Sequence, residues 1–344
     1  MRVGATMSGT LLMHVPIALA PVLLFLAALV RADSYKLLRL RTVLAMVGAG
    51  VLAAGASYLA NTWAYGQFTG EFAAYTRYVS PWIEETAKAL LLFFLIRTRR
   101  VGLPVDAGIA AFAVGTGFGL VENLYYLASR PDAALLVQVI RGFGTAIMHG
   151  GTATVLAMIS VTLYERRPNG GLQLLLPGFF AAVALHTGFN FLLVRPAVAT
   201  LATVVVLPLV IYLVFQHSER TLRTWLDEDL DSKVQLLESI TSGSFLDSHG
   251  GRYLKSLRDR FRGEDLADML CLLRLHGELA LRAKGVLLIR ESGMQEPPLE
   301  EEVRAQLAEL AELERAIGPT GLLALRPLMM ATGKDLWQLK LLRR

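Results

Sequence analysis

Apolar residues run almost unbroken through the first two thirds of the chain, over about 11–30, 37–60, 82–97, 105–128, 133–163, 172–193 and 197–217. Most approach the roughly 20 residues that an α-helix needs to cross a ~30 Å hydrocarbon core, although the third is short and the fifth long. The runs are continuous rather than alternating, which argues against a closed β-barrel and predicts helices. Beyond residue 217 the pattern changes. Residues 219–240 and 264–284 space apolar side chains three and four apart, and Leu299 to Ile317 is rich in Glu, Ala and Leu, as soluble helices require. Glu291 to Pro298 reads as a loop, and Gly318-Pro319 as a break. The pattern predicts an all-α chain, with a polytopic bundle of about seven transmembrane helices over 1–217 and a small helical soluble domain over 218–344.

Composition agrees. Hydrophobic residues make up 54% of the 344 positions and mean hydropathy is +0.47, too apolar for an ordinary soluble domain of this size. Residues 1–217 hold 15 Lys and Arg against 8 Asp and Glu, whereas residues 218–344 hold 19 against 21. The net charge of +5 therefore comes from connections between spans that face anionic lipid. It offers no argument for a nucleic-acid partner.

Those cations alternate. Arg31 to Arg41, the cluster at Arg97, Arg99 and Arg100, and Arg166 with Arg167 occupy every second connection, while the intervening ones hold Arg77, Arg130 and Arg195. The positive-inside rule then places the N-terminus outside and residues 218–344 in the cytosol of a multi-pass plasma-membrane protein. Only Arg2 precedes the first span, so that span reads as a retained helix rather than a cleaved signal. Cys271 is the single cysteine, which rules out an intramolecular disulfide and a cysteine-based metal cluster.

Against this background, several polar residues interrupt the apolar runs: Glu84, Glu85 and Lys88; Glu122 with Asn123; Arg141 and His149; His186 and Asn190. A charged group at the bilayer centre costs at least about 2.5–3.5 kcal/mol, so four runs sharing the set point to one polar chamber. Ser80 suits an N-cap and Pro81 a first helical position. Lys88 lies one turn from Glu84 and Glu85, where it would hold one carboxylate ionised and leave the other to exchange protons as a general base. Gly115, Gly117 and Gly119 follow no predicted strand, so Gly115 and Gly119 predict close helix packing rather than a nucleotide loop. Glu122 lies one turn beyond and should face the bundle interior. Arg141 and His149 are two turns apart on one helix, and His186 and Asn190 share a face at i,i+4. Asp106 reads as interfacial, and His14, His217, His249 and His276 as unrelated to the chamber. Residues 218–344 contain no catalytic constellation and read as a regulatory or structural appendage.

These motifs resemble the PrsW family of intramembrane proteases, relatives of the CAAX-processing membrane proteases. The likeness rests on Glu84-Glu85-Thr86-Ala87-Lys88, Glu122-Asn123-Leu124-Tyr125, Arg141 followed by His149, and His186 with Asn190, in that order across residues 75–195. The first two spans and the soluble tail lie outside it. The resemblance implies an endopeptidase of glutamic type acting on membrane-anchored protein substrates within the lipid bilayer, with anti-sigma factors the best-known targets. Residues 218–344 are the expected surface for a cytosolic regulator.

The chemistry of the residues is compatible with that reading. Glu84 or Glu85 can serve as base and acid, and His149, His186 and Asn190 can donate to an oxyanion. Lys88, Asn123, Arg141 and Asn190 would support them. This favoured route requires no cofactor. The alternative is zinc held by Glu122, His149 and His186 with Glu85 as base, although no His-Glu-x-x-His helix occurs. The competing class is an ion- or proton-coupled membrane carrier, but the sequence shows no internal duplication. A membrane scaffold would leave the buried charges unexplained.

The charge pattern predicts that a topology reporter fused after Arg344 is cytosolic and one placed within residues 61–80 is external. A cytosolic 61–80 segment, read by protease or thiol-label accessibility, would invert the scheme.

Overall fold

The computed structural model describes residues 3–33, 35, 38–129, 135–167, 170–192, 196–294, 301–329, 339 and 342. Among them no strand occurs, and the elements are α1 (Val3–Ala32), α2 (Leu40–Gly66), α3 (Phe72–Tyr78), α4 (Ser80–Arg97), α5 (Pro104–Ser129), α6 (Leu135–Arg166), α7 (Leu176–Leu192), α8 (Pro196–Thr241), α9 (His249–Ser256), α10 (Gly263–Glu291) and α11 (Glu301–Met329). Single 3-10 turns at Leu172–Leu175, Ser244–Asp247 and Leu257–Asp259 complete the order. The chain forms two compact units, Met1–Glu219 and Arg220–Arg344.

Four helical stretches among the described residues are long and apolar enough to cross a membrane: Leu40–Gly66, Pro104–Ser129, Gly144–Arg166 and Leu172–Phe191. In α1 the shorter stretch Leu19–Ala32 is apolar. Glu84, Glu85, Lys88 and Arg97 interrupt the 18 residues of α4, so its composition falls short of a lipid-facing span. Many side chains of the expected seventh span, 197–217, lie outside the described residues.

At the centre of the first unit is α5, buried at every position from Val105 to Gly119 and packed against α1, α2 and α6. Its glycines allow that crowding. A Cβ on Gly115 would fall 2.2 Å from the His149 carbonyl oxygen, and one on Gly117 2.0 Å from that of Val47. Two residues turn an α-helix by about 200°, so these glycines admit α6 on one side and α2 on the other. The backbone of α6 thereby meets α5 at the level of His149.

Two local features differ from the sequence reading. The short α3 within the 61–80 connection was not foreseen, because seven residues are too few to develop a readable period. It is held by buried Tyr75, whose ring meets those of Tyr65 and Phe68 edge-on at 5.1 and 5.5 Å. Asp106 is fully buried rather than interfacial. It accepts from the backbone N–H groups of Gly102 (3.2 Å) and Leu103 (2.8 Å), closing the first turn of α5 where backbone donors lack helical partners.

In the second unit, Met269, Leu272, Leu273, Leu279 and Ala283 of α10 form a core with Val303, Leu310 and Leu325 of α11. Gly318 has φ 69° and kinks α11 immediately before Pro319, at the break the sequence marks. His276 is buried in α10 and His249 exposed on α9, while the side chains of His14 and His217 lie outside the described residues.

The α5 packing generates a stability test. Gly117→Leu should cost more than the about 1–3 kcal/mol typical of over-packing, because the obstructing atom is a backbone carbonyl oxygen. Gly48→Ala, where a Cβ meets nothing within 4 Å, should leave stability unchanged or slightly raised. Thermal unfolding of the purified protein in detergent reads both. Equal tolerance at the two positions would refute the close approach.

Candidate active site

Helix α4 begins at Ser80 with Pro81 in its first turn. Ser80 is thus one residue inside the helix rather than its N-cap, and its hydroxyl donates to Glu84 Oε1 at 2.5 Å. Asn61 of α2 donates to the same oxygen through Nδ2 at 3.4 Å. The Asn61 Oδ1 in turn accepts from the Tyr75 hydroxyl at 2.8 Å. Burial and the nearby Glu84 carboxylate push the Tyr75 phenol above its ordinary value, which keeps it a donor. Three elements therefore aim Glu84.

Glu85 is fully buried. Its Oε1 accepts from Lys88 Nζ at 2.7 Å, Thr152 Oγ1 at 3.1 Å and His186 Nδ1 at 2.8 Å. One oxygen thus joins α4, α6 and α7. Lys88 continues the network, with Nζ 3.0 Å from His149 Nδ1 and 5.0 Å from the centre of the Phe118 ring. His149 Nε2 lies 2.5 Å from Glu122 Oε2. The two imidazoles meet edge to face with centroids 5.0 Å apart.

Hydrogen-bonding capacity orients both imidazoles. An ammonium only donates and an ionised carboxylate only accepts. His149 Nδ1 must therefore accept from Lys88, leaving Nε2–H to donate to Glu122. His186 donates to Glu85 through Nδ1–H, which turns Nε2 toward Glu84. That nitrogen is 3.8 Å from Glu84 Oε2.

Glu84, Glu122 and His186 line a cavity of about 1040 Å³, open between α2, α3, α4, α5, α6 and α7. Glu85, Lys88 and His149 form the network behind it. The structure thus gathers Glu84, Glu85, Lys88, Glu122, His149 and His186 from four helices. Asn190 also borders the cavity, but it donates to the Thr76 carbonyl at 2.9 Å and so ties α7 to α3. Asn123 is buried on α5 next to Glu122 in sequence. The side chain of Arg141 lies outside the described residues. Sequence reasoning missed Asn61, Tyr75 and Thr152, which are uncharged and leave little trace in an apolar run.

A metal is testable against the donors present. Among the described residues, one ligand atom each from Glu84, His149 and His186 lies within 4.8 Å of the others. Two nitrogens and a carboxylate form a recognised catalytic zinc set, and the His186 Nδ1–H bond to Glu85 is the outer contact that metal-bound histidines usually make. The carboxylate in this group is Glu84, where the sequence reading had placed Glu122. His149 has both nitrogens engaged, so its ligation through Nε2 would require that proton to pass to solvent while Nδ1 takes one from Lys88, which keeps the imidazole neutral. On these terms the donor set fits.

A family model described as PrsW family intramembrane metalloprotease matches residues 36–215. The match takes in α2, which the motif likeness did not reach and which supplies Asn61. No curated protein and no solved structure matches the chain.

Removing the cation should expose the cost of the buried charge. Lys88→Met leaves Glu85 uncompensated and should destabilise the protein by about 3–5 kcal/mol. Adding Glu85→Gln to Lys88→Met should recover much of that loss in thermal unfolding. Simple additivity of the two losses would show that the residues are not coupled.

Proposed function

The chain belongs to the PrsW family of intramembrane proteases, and from that premise we propose that peptide hydrolysis takes place where Glu84, Glu122 and His186 face the cavity. The observation that supports this reading best is the convergence of two imidazoles and three carboxylates on one site, with Lys88 paired to Glu85 from behind. Family membership lends no support to the carrier alternative.

Glu122 is the favoured base. It is the most accessible of the three carboxylates, with a side chain 34% exposed against 14% for Glu84 and 0% for Glu85. Its carboxylate borders the cavity and is placed to accept a proton from a water there and return it to the leaving amine. Glu85 acts through His186 as a positioning residue, because it is fully buried behind the cavity and bonds His186 directly. Glu84, His149 and His186 would hold the metal that the family description implies. When bound, such a metal polarises the scissile carbonyl and promotes ionisation of water. The metal-free glutamic route favoured by the sequence is the competing reading, and chelation separates the two.

The substrate class is a membrane-anchored protein, with anti-sigma factors as candidates through the family resemblance. We place the enzyme in the plasma membrane with about seven spans, the N-terminus outside and residues 218–344 as a soluble cytosolic domain that binds a regulator. That orientation puts the cavity toward the outer leaflet, since Glu84 and Glu85 begin a span entering from outside.

Glu122→Gln keeps shape and hydrogen bonding but removes the proton acceptor. It should lower kcat for a membrane-anchored reporter by about 10²–10⁴-fold while leaving thermal stability near wild type. Chelation should abolish activity and zinc should restore it. Full activity after exhaustive chelation would instead favour metal-free chemistry, and wild-type cleavage by Glu122→Gln would remove Glu122 from the reaction.

A further inference from the structure

Helical Ser and Thr hydroxyls in this protein generally bond to their own helix. Thr62, Thr86, Thr116, Thr154 and Thr162 each donate to the carbonyl four residues earlier. Ser57 on α2 and Thr145 on α6 do not. Each is only 3% exposed, and each has a buried hydroxyl oxygen without a hydrogen-bond partner. Both residues line the cavity that contains Glu84, Glu122 and His186. Ser160 on α6 is also unpartnered, but it faces the close approach of Gly178 on α7 rather than the cavity. The two cavity-lining residues with unmet hydroxyls therefore belong to different helices and share the cavity with the reactive residues.

A buried hydroxyl left unpaired costs free energy, and one that could bond its own helix but does not is available to another partner. The substrate supplies a need of the same kind. Attack on a peptide carbonyl requires that the carbonyl leave its helical hydrogen bond, so the scissile segment must unwind locally. Unwinding within a membrane frees backbone N–H and C=O groups that have no water to bond. A hydroxyl can donate to a carbonyl and accept from an N–H, so it suits either group. The cavity volume, about 1040 Å³, is at the top of the range typical of small-ligand sites and leaves room for an unwound segment.

We infer that Ser57 and Thr145 form a backbone-binding subsite that holds the unwound segment of a membrane-anchored substrate beside the reactive carboxylates. This rests on the peptidase reading and adds to it the conformation of the bound substrate. The subsite reads main-chain groups and so tolerates varied side chains. Its contribution is to binding and positioning, with the proton transfers left to other residues.

The test uses full-length protein in lipid nanodiscs and a single-span reporter substrate, comparing wild type with Ser57→Ala, Thr145→Val and the double variant. Each single change should lower kcat/KM by roughly 3- to 10-fold, the worth of one neutral hydrogen bond, mainly through KM. Thermal stability without substrate should stay level or rise, since an unpaired buried hydroxyl is removed. This opposition of sign identifies the subsite, because a structural role would lower both quantities. Unchanged kcat/KM in the double variant, with wild type active, overturns the inference and leaves the peptidase reading standing. A fall in stability that accompanies the loss of activity also overturns it. If wild-type protein fails to cleave while folded, the peptidase reading itself falls and takes the subsite with it.

Discussion

The arrangement of the site depends on one carboxylate oxygen. Glu85 Oε1 takes hydrogen bonds from Lys88, Thr152 and His186 with no exposure to solvent. A buried carboxylate is costly without charge compensation and donors, and here the compensation comes from three helices at once. The same contacts determine which nitrogen of His186 donates to Glu85 and which faces Glu84. Lys88 makes the corresponding choice for His149. A stabilising contact therefore also orients both imidazoles.

That oxygen can act as a node only because the helices approach closely enough for short side chains to meet. Gly115 and Gly119 on α5 admit α6, and Gly117 admits α2 on the opposite side. The chemistry follows from this packing. Glu122 stands one turn past Gly119 and meets His149 on α6, while α2 brings Asn61 to Glu84. The membrane favours such a solution, since small residues allow backbone contact where lipid gives little hydrophobic drive between helices.

What the sequence discloses follows the cost of each residue. Glu84, Glu85, Lys88, Glu122, His149 and His186 are conspicuous because an ionisable group in an apolar run demands a reason, and the structure brings them together. A hydroxyl or amide costs far less there, so Thr152, Asn61 and Tyr75 pass unnoticed although each supports a carboxylate or its donor. The aim of each carboxylate was also hidden. Glu84 and Glu85 are adjacent in sequence, yet Glu84 faces the cavity and Glu85 lies behind it, a difference set by partners on α2, α6 and α7. The charged helix α4 and the seven-residue α3 show where span counting weakens, because composition and length there serve the site rather than the lipid.

The most direct measurement is a kinetic double-mutant cycle on kcat/KM with Glu85→Gln, His186→Ala and the combined variant. If Glu85 works by presenting His186, the residues act as a unit and the double variant should be no worse than the more damaged single, within about threefold. Losses that multiply, with each variant folded, would mean that Glu85 and His186 act independently and that Glu85 does not set the geometry of the site.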